Sequence, residues 1–436
     1  MIRTVEEHQQ AVLGLLRYSS GYGNDPAEEL PLQAARGRVL AQDVAAPVSL
    51  PPFDNSQMDG YAVHAADLES ADNEMLTLRV AAPVAAGAVP PALQQGWAAP
   101  IMTGAMMPGH AAAVVPIEQA HPPQFPTAAE YESADDLTVS LPASVLQGNF
   151  VRRTGSDIAA GTTALTAGTV LGPAQLGLLA ACGLGSVPVR PRFSVLLLTT
   201  GDEVQEPGSE PVPGKIFDVN TTLLETALED AGARVVRHRL MNDNPVLLRE
   251  VFGSVDSGIN LVLTTGGISQ GAYEVVKQAL ADSSVDFLPV AMQPGGPQAI
   301  GTIGGTPFLG FPGNPVSALV SFEMFLRPAL GAIAGVPAPR PVLTARLTED
   351  VESPEKKHQV RRGLYREPAA DGGQTGTVEL IGGPGSHLMH ALAGSNALVQ
   401  LPLGTSSISG GSPVTVWLVD GAKAGTIASI MGSGES

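Results

Sequence analysis

The spacing of apolar and polar positions divides the chain into segments of different character. Near the start, Val5 to Leu16 repeats with helical spacing, and Thr4 with Glu7 three positions on supplies a capping signature. Arg38–Val44 reads as a short strand. PPFDNSQMDGYAV at 51–63 then brings two prolines, an Asp-Asn pair and an Asp-Gly pair, the chemistry of a specified irregular loop. From 55 to 150, short apolar runs such as MLTLRV, AAAVVPIEQ and LTVSL lie between Gly, Pro and charged residues and predict a compact β domain. Gly-containing turns over 148–190 predict a further β segment, with a helix at Pro173–Ala181 that carries proline in its first turn.

From 191 the pattern changes to strands alternating with helices. FSVLLLTTG, ARVVRHRL, INLVLTTGG and TPFLGFPG are continuous apolar strand signals. VNTTLLETALEDAG, with Asn220 or Thr221 as cap and Gly232 at its end, NPVLLREVFGSV and NPVSALVSFEMFLRPAL are helices. This alternation predicts a three-layer α/β domain over 191–335 with ligands at the carboxyl ends of its strands. Over 340–425 the helical period disappears. VLTARL, TGTVEL, ALVQLPL and PVTVWLV with Gly-rich connections predict a small β-barrel or sandwich, and 426–436 reads as a flexible tail.

Composition narrows the functional classes. The 436 residues fit three or four domains, and 44% of them are hydrophobic, enough for several cores. A formal net charge of −18 disfavours nucleic acid or an anionic membrane as partner, so an anionic substrate needs local donors. One cysteine, Cys182, excludes an intrachain disulfide framework and a cysteine-rich zinc site. No uninterrupted apolar run reaches membrane-spanning length, and the acidic start MIRTVEEHQQ does not read as a secretory signal, so a cytoplasmic location is expected.

Three segments that end strands of the α/β domain carry ligand chemistry: TTGDE at 199–203, TTGGISQG at 264–271 and FPGNPVSA at 311–318. Glycines there let backbone amides approach a ligand, and Thr199, Thr200, Thr264, Thr265, Ser269 and Ser317 add neutral donors, a way for an acidic chain to hold phosphate. No P-loop lysine motif is present, and GGISQG is not a dinucleotide fingerprint. Asp202, Glu203, Asp218, Asp243 and Glu274 could serve a hard cation beside such a cradle, or act as helix caps and solvated carboxylates. Asp59, in DNSQMDGYA, invites a local Asx-turn explanation.

These segments, in order, carry a resemblance. PPFDNSQMDGYAV, IMTGAMMPGHAAAVVPIE at 101–118, VRRTGSDI at 151–158, TTGDE, DVN at 218–220, TTGGISQG, FPGNPVSA and GPGSHLMHALAGSNALVQLP at 383–402 resemble the molybdopterin molybdenumtransferase family across essentially the whole chain. The resemblance implies a discontinuous N-terminal domain (1–50 and 148–190), an inserted β lid (51–147), a three-layer α/β molybdopterin-binding domain (191–335) and a C-terminal β-barrel. It implies a homodimer whose cleft lies between the α/β region of one subunit and the lid of the other. The implied reaction takes adenylylated molybdopterin and molybdate, releases AMP and yields molybdenum cofactor with Mg²⁺ assisting. Molybdopterin adenylyltransferase and molybdoenzyme maturation proteins are the implied partners.

Carried over position by position, the implied catalytic residues are Asp59, Thr103, Asp157, Glu203, Asp243 and Glu274, with Asp59, Asp243 and Glu274 at the metal. Glu274 stands where many members have Asp. Gly266, Gly267, Ser269, Gly313, Asn314 and Ser317 match the phosphate and pterin loops, and Lys357, Arg362 and Ser386 match a polar patch on the barrel. One segment departs from the family. Where many relatives have KPGKP, this chain has MQPGGP at 292–297, with neutral Gln293 and Gly296 in the lysine positions. Two other readings stay open at this point, a non-catalytic pterin-binding scaffold and a generic nucleotide-binding enzyme.

Overall fold

The computed structural model describes residues 2–23, 25–69, 74–133, 136–239, 244–268, 275–368 and 375–419. It resolves into two compact units. One comprises 1–28, 37–39 and 190–436, and the other 29–36 and 40–189.

In the larger unit, a six-stranded sheet has the order Arg234–Arg239, Ser194–Thr199, Leu261–Thr265, Thr306–Phe311, Pro297–Ile303, Ser284–Pro289. The first four strands are mutually parallel and the remaining neighbours pair antiparallel. Period-2 alternation sends side chains to two separate cores. Val195, Leu197, Leu261, Leu263 and Leu309 pack with helix Val219–Asp230 on one face, whereas Leu196, Leu198, Val262 and Phe308 pack with helix Pro245–Gly253 on the other. The chain leaves Ser194–Thr199 toward one neighbour and returns to the opposite one. The strand order therefore reverses there, and the carboxyl ends of Ser194–Thr199 and Leu261–Thr265 border the resulting crevice.

Helix Val5–Ser19 begins at the expected reciprocal cap: the Thr4 amide donates to Glu7 (2.8 Å) and the Glu7 amide to the Thr4 hydroxyl (3.2 Å). Such caps are worth about 1 kcal/mol. It buries Val5, Val12 and Leu16 against the helical run that follows Asn314. That run is α-helical over Pro315–Ser321, π-helical over Phe322–Leu326 and α-helical again over Arg327–Ala334. Pro328 lacks the N–H that would bond Met324 four residues back. Gln9 Nε2 donates to that Met324 carbonyl instead, at 2.9 Å, so a side chain from the first helix satisfies the acceptor that proline leaves open. Among the described residues this run alone is long and apolar enough to cross a membrane, and 67% of its most apolar window is buried, as in a core helix.

The C-terminal region of this unit closes on itself. Strands His358–Arg366, Thr377–Leu380, Val342–Leu347, Pro413–Leu418 and Ala397–Leu401 pair in that order, and Ala397–Leu401 pairs back to His358–Arg366. A closed barrel removes the exposed edges that an open antiparallel sheet would leave.

In the smaller unit, the five-stranded open sheet runs Ala111–Pro116, Gly60–His64, Trp97–Ile101, Met75–Val80, Thr138–Pro142. Both its faces are covered: Tyr61 and Val63 lie in one cluster, Ala62 and Val114 in another. A small third cluster joins Ala35 and Leu40 with Leu171, Leu179, Val187 and Val189. The strand expected over Arg38–Val44 is shorter, limited to Val44–Ala45 plus isolated bridge residues at Val39 and Leu40, because Arg36 and Gly37 turn the chain just before them.

Candidate functional site

At the carboxyl edge of the parallel sheet, three loops meet. Gly266 and Gly267 both hold left-handed backbone (φ 87° and 65°), open to glycine at little cost. A Cβ placed on Gly313 would lie 3.2 Å from the Gly266 Cα, and one placed on Gly266 would lie 3.7 Å from the Thr200 carbonyl oxygen. The Gly266 amide donates to Phe311 (3.0 Å) and the Thr265 hydroxyl to the Pro312 carbonyl (3.2 Å), which locks the second loop onto the third.

A carboxylate and two threonines organise the first loop. Asp218, rather than the expected Asn220 or Thr221, caps helix Val219–Asp230: its Oδ1 accepts the Thr221 amide at 3.0 Å. The Thr221 hydroxyl lies 2.6 Å from Asp218 Oδ2 and 2.9 Å from the Thr199 hydroxyl. Asn220 is thereby released from capping and its Nδ2 donates to the Gly313 carbonyl at 2.7 Å, tying the helix start to the third loop. Its Oδ1 is buried and has no hydrogen-bond partner among the described residues. A cavity of about 260 Å³ adjoins this cluster, lined by Thr199, Asp218, Thr221 and Arg237 among others. Glu203 is exposed near Gly201.

Asn314 precedes the long helical run, is exposed, and makes no side-chain cap bond, which leaves its amide available. Ser317 is buried in that run, its carbonyl accepting the Ser321 hydroxyl at 2.8 Å. The barrel reaches the same helix start through the Ser386 carbonyl, which accepts the Val316 amide at 3.3 Å. Arg362 is almost fully buried and donates through Nη2 to the Gly383 carbonyl, just before Ser386; burial, and then neighbouring Arg361, push its pKa down. Lys357 is exposed. Gln293 accepts from Gln359 Nε2 at 2.9 Å where Met292–Gln293 pairs with His358–Gln359.

In the smaller unit, Asp59 Oδ1 accepts both the amide (2.7 Å) and the hydroxyl (2.8 Å) of Thr103, 44 residues away in sequence. These bonds hold the Asp59 carboxyl below the usual carboxylate range. The local turn is braced instead by Ser56, whose hydroxyl bonds the Met58 carbonyl at 2.5 Å, so the Asx-turn explanation does not account for Asp59. Asp157 is exposed, with its amide donating to Leu50.

Asp243, Ser269 and Glu274 lie outside the described residues. Among the described residues no group of three or more His, Cys, Asp or Glu could hold a metal ion, and Asp59 alone does not make a magnesium site.

Residues 3–183 match the MoeA N-terminal region (domain I and II), 196–332 a probable molybdopterin binding domain, and 344–419 the MoeA C-terminal region (domain IV). The chain is 41% identical to molybdopterin molybdenumtransferase 2 of Mycobacterium tuberculosis over 426 residues, covering 95% of this chain and 99% of that protein. The chain belongs to the molybdopterin molybdenumtransferase family. It is also 34% identical to the Haemophilus influenzae molybdopterin molybdenumtransferase, over 89% of this chain and 93% of that one. Two solved structures of molybdopterin biosynthesis MoeA protein from Pyrococcus horikoshii superpose with TM-scores of 0.77 and 0.75 at 29% and 26% identity, covering 97% and 96% of this chain and all of theirs.

Within this family frame, the structure pairs Asp59 with Thr103 and gathers Gly266, Gly313 and Asn314 with the Ser386 turn. The sequence leaves Asp218 open as a cation ligand or a helix cap, and the structure makes it the cap, three positions ahead of Thr221. Asp54 is a contributor that the sequence does not single out. It accepts the Thr154 amide (2.7 Å), the Thr154 hydroxyl (2.9 Å) and Arg153 Nη1 (2.7 Å), and no local spacing in the sequence joins positions 54 and 154.

Proposed function

We propose that this chain inserts molybdenum from molybdate into adenylylated molybdopterin, releasing AMP. One observation carries the reading: 41% identity to a molybdopterin molybdenumtransferase along 95% of this chain and 99% of that enzyme. Full-length likeness to enzymes favours turnover over a pterin-binding scaffold, and the match over the lid and barrel disfavours a generic nucleotide-binding enzyme.

The chemistry suits what the side chains offer. The substrate's phosphoanhydride is cleaved by water, with AMP leaving and the other phosphate staying on the pterin side. Its dithiol takes molybdenum with loss of one oxo group, which departs with the two thiol protons as water. The dithiol belongs to the substrate, and the chain's single cysteine, Cys182, is buried and takes no part. The protein positions and desolvates: Gly266 and Gly313 let the backbone approach closely and Asn314 keeps an amide donor for phosphate, an arrangement that needs no net positive charge.

In this reading Asp59, Asp243 and Glu274, the acids that the family resemblance implies at the metal, would hold Mg²⁺, which would supply charge neutralisation on phosphate oxygens. The functional unit is a cytoplasmic homodimer, supplied by a molybdopterin adenylyltransferase and delivering to molybdoenzyme maturation proteins. Its acidity argues against nucleic acid as partner.

The test is reconstitution of a cofactor-free molybdoenzyme with this protein, adenylylated molybdopterin and molybdate. Activity dependent on all three is expected. No activity beyond that obtained without the protein would refute the reading. Sedimentation at micromolar concentration tests the dimer separately, and a fully active monomer would refute that part.

A further inference from the structure

Asp54 and Asp59 are held in the same way. Each places Oδ1 to accept both the amide and the hydroxyl of one threonine, Thr154 for Asp54 and Thr103 for Asp59. They differ at the second oxygen. Asp54 Oδ2 is filled by Arg153 at 2.7 Å, whereas Asp59 Oδ2 has no hydrogen bond among the described residues. One carboxylate is saturated by the fold, and the other keeps an acceptor for something outside it.

The backbone connects the two. On one side, Asn55 and Ser56 pair with Arg152 and Val151, and the Gln57 amide donates to Phe150 at 2.8 Å. On the other, the Met107 amide donates to the Asp54 carbonyl (2.8 Å), the Ser56 amide to Ala105 (3.1 Å) and the Gly104 amide to the Ser56 carbonyl (2.8 Å). The short stretch Asp54–Ser56 therefore carries both members of the exposed pair: Thr103 immediately precedes Gly104, and Asp59 follows Ser56 by one turn. Asp54 fastens that stretch to Arg153 and Thr154 by three side-chain bonds, two of them to one residue.

We infer that Asp54 is a positioning residue for molybdenum transfer, setting the Asp59–Thr103 pair through the Asp54–Ser56 stretch. The inference rests on the role proposed above for Asp59. Loss of the Asp54 carboxylate frees the stretch from Arg153 and Thr154, and the exposed Asp59 carboxylate loses its fixed place. Misplacement of a reacting group on the order of 1 Å costs roughly 100-fold in rate.

The experiment measures AMP release by the full-length protein, with variants Asp54→Asn, Asp54→Ala and Thr154→Val made alone and combined with Asp59→Asn. In the otherwise unchanged protein, Asp54→Ala is expected to lower kcat about 10- to 100-fold with KM changed less. Asp54→Asn, which keeps an acceptor for Thr154, is expected to retain more activity. In the Asp59→Asn background the Asp54 substitutions are expected to add little, since their effect passes through Asp59. An undiminished second penalty overturns the inference, as does unchanged kcat in Asp54→Ala. A second readout needs no activity. Hydrogen exchange at the Thr103 amide, which is bonded to Asp59, reports how firmly the pair is held and should speed up in Asp54→Ala. Unchanged Thr103 exchange overturns the inference whatever the rates show. If Asp59→Asn alone turns over normally while Thr103 exchange responds to Asp54→Ala, the coupling stands and the proposed role of Asp59 falls.

Discussion

Asn220 Nδ2 donates to the Gly313 carbonyl at 2.7 Å, and this bond joins the start of one helix to the loop that opens another. It exists because Asp218 has taken over the cap and left the Asn220 side chain free to span the gap.

A first prediction concerns that link. Asn220→Ala removes the donor, and Asn314→Ala removes the uncommitted amide beside it. Each is expected to fold and to bind the phosphate-bearing pterin more weakly, by about 0.5–1.5 kcal/mol for a lost neutral contact. Titration calorimetry on the purified variants checks this. Unchanged affinity in both would place phosphate elsewhere on the sheet edge.

Asp59 gives the second prediction. Asp59→Asn keeps size and an acceptor for Thr103 but removes the charge. It is expected to keep the parent's melting temperature and to lose AMP release roughly 100-fold, the scale set by removing one preorganised electrostatic group. Parental turnover would reduce the Asp59–Thr103 pair to a loop brace.

Elements with a clean period were legible in the sequence: the Thr4-capped helix, the strands of the parallel sheet, and Pro173–Ala181 all fall where the apolar spacing puts them. The longest barrel strand, His358–Arg366, escaped because His358, Arg361, Arg362 and Arg366 break its apolar alternation, and only the closed barrel explains a buried Arg362. Long-range polar pairings were illegible for another reason. Asp54 with Thr154 and Asp59 with Thr103 depend on how the lid sheet returns the chain, which no local window encodes. The π-helical turn is hidden likewise, since a proline marks a break but not the remote Gln9 that makes it tolerable.

Glu323 provides the third prediction. It is buried within the π-helical turn and paired through both oxygens with Arg340, at 3.0 and 2.7 Å, just ahead of the barrel. Removing one member of a buried pair leaves the other charge uncompensated, at about 3–5 kcal/mol. Arg340 retains some exposure, so Glu323→Gln is expected near the lower end of that range in urea unfolding. A loss under 1 kcal/mol would mean that water screens Arg340 in the variant.

The fourth prediction is pH dependence from His8. Its ring is buried edge-on against Phe325, both nitrogens lack partners among the described residues, and burial followed by the charge of Arg3 pushes its pKa down from 6.5 to about 4. The unfolded chain binds this proton more readily. The His8 contribution is therefore complete above pH 6.5, falls as the pH drops toward 4, and is constant below. Between pH 7 and pH 5 the loss is about 2 kcal/mol. His8→Leu is expected to flatten this part of the stability profile by that amount. An identical pH slope in parent and variant would mean that the imidazole is solvated in the folded state.

The most direct measurement of the central claim is the joint yield of AMP and protein-released molybdenum cofactor from adenylylated molybdopterin, with and without molybdate, over a series of Mg²⁺ concentrations. The account predicts that molybdate and Mg²⁺ are both required for full turnover, and that AMP and cofactor form in equal amounts. Tight binding of the adenylylated pterin with no AMP release under any of these conditions would contradict it.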